Sequence, residues 1–237
     1  NSCFLAAGQI IPVVTGESWE NFVKEKLLVP LNMSHTLILS TGISNQPNAA
    51  TPYTTSYSGI LTRIPYDNWN NLAPAASIVS NVSDLSHWLL MQLDSGRYLG
   101  REVLPWEAVQ KTRDVNIMIS SRKSATLPVH FTGYGLGLFV SDYAGRQLYW
   151  HTGGAGGMLS SVCFVPEEKL GIAILTNNDD QDFFEDLRYR ILDSYLGVPY
   201  VNRSINDLTA FRKKAQEQLK EINGWKAEMK GNKPELP

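Results

Sequence analysis

Cysteine, long apolar runs and an excess of either charge are all scarce in this chain, and each shortage removes a class of protein. Cys3 and Cys163 are the only cysteines in 237 residues. With no Cys-x-x-Cys and no His/Cys cluster at ligand spacing, neither a disulfide framework nor a thiolate metal centre has support, and two buried free thiols are expected. His-Glu-x-x-His and an Asp-rich calcium loop are also missing, so no metal and no other cofactor is indicated. Basic and acidic side chains nearly balance, 21 against 23 for a formal net charge of −2, which argues against nucleic acid or an anionic membrane surface as a partner. A small-molecule or peptide substrate fits that balance better. No apolar run reaches about 18 residues, and no basic stretch leads into an apolar one at the N-terminus, so neither a membrane span nor a signal peptide is visible.

What is present reads as a well-buried globular protein. Charged residues make up 19% of the chain, below the roughly 25% of an average domain. The length allows one large domain or two small ones. Phe4, Ala7, Ile10, Ile11 and Val14 predict a first helix over residues 2–14, with Pro12 bending its last turn and Thr15-Gly16 stopping it. Ser18 is an N-cap for a second helix whose stripe is Trp19, Phe22, Val23, Lys26 and Leu27, ended by Pro30. From residue 37 to 71 periodicity is lost, and the Tyr and Trp content of so long a loop marks it as a wall of a substrate cleft. Asn81 then caps a helix carrying Val82, Leu85, Trp88, Leu89 and Leu93, with the Asp84 carboxylate near the free N–H groups of the first turn.

The second half alternates. Strands are predicted over residues 134–140, 146–150, 158–165 and 170–176, joined by short turns, which makes an antiparallel meander. Residues 179–195 return to helical spacing and close at Gly197, a last helix covers residues 207–229, and 231–237 read as a linker. No internal repeat is evident.

The strands converge on Tyr149-Trp150-His151-Thr152-Gly153-Gly154-Ala155-Gly156-Gly157. An aromatic, β-favouring approach enters four glycines within five residues, and the expectation is two strands joined at an irregular turn. Without Cβ atoms, main-chain N–H groups there come within hydrogen-bonding distance of a substrate. A phosphate cradle needs a helix after the glycines and a Gly-Lys-Ser/Thr or Gly-x-Gly-x-x-Gly pattern, and neither is present. A β-turn with no function remains open on composition alone.

His151-Thr152-Gly153-Gly154, followed by an apolar strand, a Pro-containing turn and a strand ending in Thr176-Asn177, resembles the third motif of the serine β-lactamase and penicillin-binding-protein superfamily in its His-x-Gly form. Asn1-Ser2-Cys3-Phe4-Leu5-Ala6-Ala7-Gly8, Val14-Thr15-Gly16-Glu17-Ser18-Trp19 and Pro30-Leu31-Asn32-Met33-Ser34-His35-Thr36 resemble, in order, the segment that begins at the end of that superfamily's Tyr-x-Asn motif, so that Asn1 falls on its Asn. Ala73-Pro74-Ala75-Ala76-Ser77 stands where the superfamily usually has Pro-Ala-Gly-Gly. Ser120-Ser121-Arg122-Lys123 fits the nucleophile pattern Ser-x-x-Lys, yet no helical stripe follows it and it stands out of motif order, so it is read as a decoy.

The resemblance implies an α+β fold, an antiparallel sheet covered by helices, with a mostly helical subdomain forming a cleft against it. It implies a helical part over residues 1–130, the meander and its helix over 131–200, and a C-terminal helix and linker over 201–237. It also implies that the nucleophilic Ser, its Lys and the motif's Tyr belong to an N-terminal segment outside this chain, which is then the chain's partner, and that the protein is extracytoplasmic. Asn1 would orient the substrate amide or that Lys, His151 would stand in the place of the Lys of Lys-Thr-Gly, Thr152 and Gly153 would line the substrate, and Gly154 would supply an oxyanion N–H. The activity implied is acyl transfer on an amide, peptide or ester. A non-catalytic module that binds peptides or cell-wall fragments is the alternative.

Overall fold

The computed structural model describes residues 1–56, 58–179 and 181–231, so most of the expected linker and Asp180 of the helix expected over 179–195 lie outside the described residues. The chain opens with α1 (Ser2–Thr15), α2 (Trp19–Val23) and a π-turn over Lys24–Leu28. Ser18 caps α2 as its sequence predicts, its Oγ accepting from Asn21 N at 3.2 Å. Pro12 lies inside α1 without stopping it, and the helix ends where Gly16 takes a left-handed conformation, φ 75°.

The expected apolar stripe of α1 does not bury. Ile10 and Val14 are exposed, and the one buried residue is Gly8, where a Cβ would lie 2.2 Å from Pro74 Cγ. Cys3 is likewise exposed, against the expectation of two buried thiols, while Cys163 is fully buried and both are free. α1 is held among the described residues by its small face at Gly8 and by Phe4 near Gly137, while Ile10, Val13 and Val14 point away.

Residues 37–71 contain a 3-10 turn at Ser40–Asn45 and the two-residue ladder β1 (Tyr53–Thr54) with β2 (Thr62–Arg63). Beyond them come α3 (Ala73–Ala76), α4 (Val82–Leu93), β3 (Arg97–Tyr98), β4 (Arg101–Glu102) and α5 (Trp106–Arg113). Asn81 caps α4 through Asp84 N at 2.9 Å. Asp84 itself turns out to hold a distant turn rather than its own helix: its Oδ2 accepts from His35 N at 2.9 Å and Thr36 Oγ1 at 2.7 Å, and the residue is buried.

The sheet has six strands, β5 (Ile117–Ser120), β6 (Thr132–Tyr134), β7 (Phe139–Tyr143), β8 (Arg146–Ala155), β9 (Met158–Val165) and β10 (Leu170–Thr176), each antiparallel to its sequence neighbour. The strand predicted over 134–140 is instead a hairpin. Gly135 lies so close to α5 that a Cβ would stand 2.3 Å from Thr112 O, and Gly137 has φ +87°, so the chain turns between β6 and β7. α6 (Phe183–Leu196) and α7 (Arg203–Gly231) complete the chain.

Alternation along the strands divides the side chains between two helical layers. Tyr143, Leu148, Cys163, Val165, Ile172 and Ile174 face Phe184 and Leu192 of α6. Val140, Tyr149 and Phe164 face Leu89 of α4 on the opposite side, where a Cβ on Gly171 would come within 3.1 Å of Leu89 Cβ. A third cluster, Val23, Leu28, Leu31, Met33, Met91, Tyr98 and Val109, is the core of the helical part. The result is the α+β arrangement expected, a sheet between helices.

Two measurements follow from this packing. Burial pushes the Cys163 thiol up to about 12, with Arg188 opposing the shift, so the thiolate that reacts is scarce. Iodoacetamide on the native full-length protein is expected to spare Cys163 until the protein unfolds, read by peptide mass mapping; native-state alkylation of Cys163 at the rate of a free thiol refutes the burial.

Asp142 offers a pH test. Burial works to raise its pKa, but the His130 ring and the N–H groups of Phe131 and His130 outweigh it and hold the carboxyl below its ordinary value. A depressed carboxylate stabilises the fold above the unfolded pKa of about 3.9, and that stabilisation is lost as pH falls through the lower folded value. Wild type should therefore exceed Asp142→Asn in urea midpoint at neutral pH, with the gap closing below about pH 4. A gap of constant size down the acid limb contradicts the assignment.

Candidate active site

β8 is a strand of two halves. β7 accompanies it from Arg146 opposite Tyr143 to Trp150 opposite Phe139 and then leaves. β9 continues alongside from Tyr149 to Ala155. From His151 onward, β8 therefore has a strand on one side only, and its other backbone edge faces a cleft of about 1340 Å³.

That cleft gathers every residue singled out from the sequence motifs: Asn1, His151, Thr152, Gly153 and Gly154 all line it. The aperiodic segment also lines it, through residues 46–50, Tyr66, Asp67 and Trp69, as do α3 and Ser80 to Ser83. The segment is pinned by side-chain bonds in place of a sheet: Ser40 Oγ accepts from Trp69 N at 2.8 Å, Asn70 Oδ1 accepts from Ser40 N at 3.1 Å, and buried Ser77 donates to Ile38 O at 2.5 Å.

The four glycines do two different jobs. Gly153 and Gly154 lie within the strand, not in a turn, and a Cβ on them would approach Ser160 Oγ to 2.8 Å and Leu159 Cδ2 to 2.9 Å. They are small because cross-strand neighbours lean over them. Gly156 and Gly157 make the turn itself, with φ +49° and +77°, and Gly157 N donates to Asp179 Oδ2 at 3.1 Å.

His151 is half-buried and held at both ring nitrogens. Nδ1 is 2.6 Å from Thr152 O; a carbonyl only accepts, so Nδ1 carries a proton. Nε2 is 3.2 Å from Tyr134 Oη. Burial raises the pKa of the Tyr134 phenol, which keeps it a hydroxyl, so in the neutral ring Tyr134 donates to Nε2. Phe139 stacks on Trp150 at 4.2 Å between centroids and leans on the His151 ring at 5.6 Å. Tyr134, Phe139 and Asp67 carry no motif, and nothing in the sequence ties Tyr134 to a histidine 17 positions later; only the β6–β7 hairpin brings it there.

Ser120 is not part of this assembly. It ends β5, its Oγ accepts from Arg122 N at 3.2 Å, and it lines a separate pocket with Lys123, Trp150 and Tyr189. No helix starts at Ser120. Among the described residues no group of three or more His, Cys, Asp or Glu could hold a metal ion.

The family model described as Beta-lactamase matches residues 1–195. The chain belongs to the Beta-lactamase family. Similar proteins include Unguisins hydrolase ungD of Aspergillus violaceofuscus (strain CBS 115571), 23% identical over 86% of this chain and 38% of its own length, and Penicillin-binding protein 4 of Amycolatopsis lactamdurans, 26% identical over 81% and 50%. Solved β-lactamase-type structures share the fold. The octameric penicillin-binding protein homologue from Pyrococcus abyssi has a TM-score of 0.65 at 24% identity, covering 80% of this chain and 40% of that one. D-amino acid amidase from Ochrobactrum anthropi SV3 has a TM-score of 0.60 at 17% identity, covering 82% and 56%. The chain thus spans half or less of the length of these two curated relatives.

The His151 geometry is directly testable. Imidazole ¹⁵N spectra at neutral pH are expected to show the Nδ1–H tautomer for His151, and Tyr134→Phe should destabilise the fold by about 0.5–1.5 kcal/mol, the usual worth of one such bond. A predominant Nε2–H tautomer in the native protein would sink the arrangement.

Proposed function

We propose that this chain is the C-terminal part of a β-lactamase-related serine hydrolase acting through an acyl-enzyme on an amide, peptide or ester, of the DD-peptidase, β-lactamase or esterase type, and located outside the cytoplasm. The observation that carries the reading is the half-paired β8, whose free edge at His151 to Ala155 faces the cleft. Family membership supports hydrolase chemistry, and two of the similar proteins are named as a hydrolase and an amidase.

In this reading the nucleophile is a Ser activated by a Lys, both outside residues 1–237. The Ser oxygen adds to the substrate carbonyl carbon as its proton passes to the base. The carbonyl oxygen becomes an oxyanion, which accepts from the N–H of Gly154 and from the nucleophile's own N–H. Collapse expels the amine or alcohol with a proton, and water then releases the acyl group. Pre-fixed donors matter because removing one costs roughly 3–4 kcal/mol in the transition state. Asn1 orients the substrate amide or the Lys, and Thr152 and Gly153 line the acyl chain. His151 takes the place of the Lys of Lys-Thr-Gly. Its imidazole is a hydrogen-bonding group where an ammonium would be a fixed charge, so substrates without a carboxylate become suitable.

A fluorophosphonate probe tests the reading. The full-length protein should gain one label on a peptide outside residues 1–237, and Gly154→Pro should slow labelling by about 10²–10³-fold. Labelling at Ser120 revives the decoy and overturns the assignment, and no labelling at all favours the binding module.

A further inference from the structure

The cleft carries an unbalanced charge. Among its described lining residues Asp67 is the one carboxylate, no Lys or Arg side chain lines it, and the other titratable side chains are those of His35, Tyr66 and His151. Asp67 is exposed, and no hydrogen bond or ion pair to its carboxylate occurs among the described residues. Most surface carboxylates in that condition are only solvated. This one differs in where its neighbours hold it.

Tyr66 Oη donates to Ala50 O at 3.2 Å on one side, and Asn70 N to Asn68 Oδ1 at 3.0 Å and Trp69 N to Ser40 Oγ at 2.8 Å on the other, so the backbone carrying Asp67 is fixed. The carboxylate lies against Gly156, where a Cβ would stand 2.9 Å from Oδ2. Gly156 opens the turn two residues beyond Gly154, so the two are at most about 7 Å apart. An anion is therefore set on the cleft wall near the place where the reacting carbonyl would bind.

We propose that Asp67 determines specificity, selecting acyl substrates that carry a positively charged amine near the reacting carbonyl, such as amino-acid amides or peptides with a free amino group, over neutral and carboxylate-bearing ones. This rests on the hydrolase reading above and adds the substrate class. An ammonium gains a charge-assisted hydrogen bond to an acceptor with no competing partner, and a carboxylate meets like-charge repulsion with no cation in the lining to offset it. Because Asp67 is open to water, the effect is that of an exposed ion pair, about fivefold at most.

The test uses the full-length protein and three anilides of one amino acid: the free amine, its N-acetyl form and its N-succinyl form. The expected order of kcat/KM is amine, acetyl, succinyl. Asp67→Asn should lower the amine-to-acetyl ratio by up to about fivefold, mainly through KM, and added salt should lower it in wild type. Asp67→Lys should raise the succinyl-to-acetyl ratio. An amine-to-acetyl ratio unchanged in Asp67→Asn, or a wild-type preference for the succinyl form, overturns the proposal. Should none of the anilides be hydrolysed, the fluorophosphonate label judges the hydrolase reading separately, and calorimetric titration with the three matching amides still judges Asp67. Tighter binding of the amine to wild type than to Asp67→Asn supports the proposal, and equal or absent binding refutes it.

Discussion

Everything in the site depends on β8 losing one of its two neighbours after Trp150. A strand inside a sheet has its N–H and C=O groups consumed on both sides, and a strand at an edge leaves a row of them open. β8 is interior for its first half and an edge for its second. The Phe139–Trp150 stack stands at that junction, and beyond it the chain of β7 turns away through Gly137. Thr152 O, on the open stretch, finds its donor in His151 Nδ1, so the same bond that satisfies the backbone fixes the ring.

Two buried guanidinium groups hold β8 from opposite faces just before His151. Arg188 of α6 lies 4.5 Å from the Trp150 ring and donates to Ser161 Oγ at 3.1 Å. Arg113 of α5 lies 5.2 Å from Tyr149 and 5.0 Å from Phe164, and donates to Gln92 O and, at 3.1 Å, to Gln92 Oε1. Burial lowers the pKa of Arg113, the sign of a charge that is costly to desolvate. Aromatic faces and carbonyl oxygens return part of that cost. Consecutive residues of one strand are thereby clamped toward different layers, which fixes the orientation in which His151 enters the cleft. Asp193 serves the outer layer in the same way, accepting from Tyr143 Oη at 2.6 Å and from Arg203, and so ties β7, α6 and α7 together.

Local signals were legible in the sequence wherever a short-range bond decides the structure. Ser18, Asn81 and Gly197 end or begin helices as their chemistry predicts, and β8 to β10 were readable as β-favouring apolar runs because each packs against helices on both faces. The glycines after His151 also pointed to the cleft. Long-range contacts were not legible. Asp84 satisfies Thr36 across 48 residues, Tyr134 reaches His151 across 17, and Gly135 is dictated by a carbonyl of α5. The apolar stripe of α1 was misleading for a related reason: periodicity shows that a helix has a face, but not that anything among the neighbouring residues covers it.

The two walls of the cleft are built on different physics, and the proposed function gives each a different part. The β8 wall is backbone, its position set by a sheet, two clamped aromatics and glycines that admit close approach. It suits acyl chemistry in general, because an oxyanion needs fixed N–H groups whatever is attached to the carbonyl. The second wall, residues 37–79, is held by side-chain bonds such as those of Ser40, Asn70 and Ser77, by one two-residue ladder, and by backbone bridges of Leu37 to Val79 and of Tyr53 to Asn178 just past β10. Tyr66, Asp67 and Trp69 line the cleft from this wall. One scaffold can host many reactions when the groups that meet a ligand sit on segments that the sheet does not build.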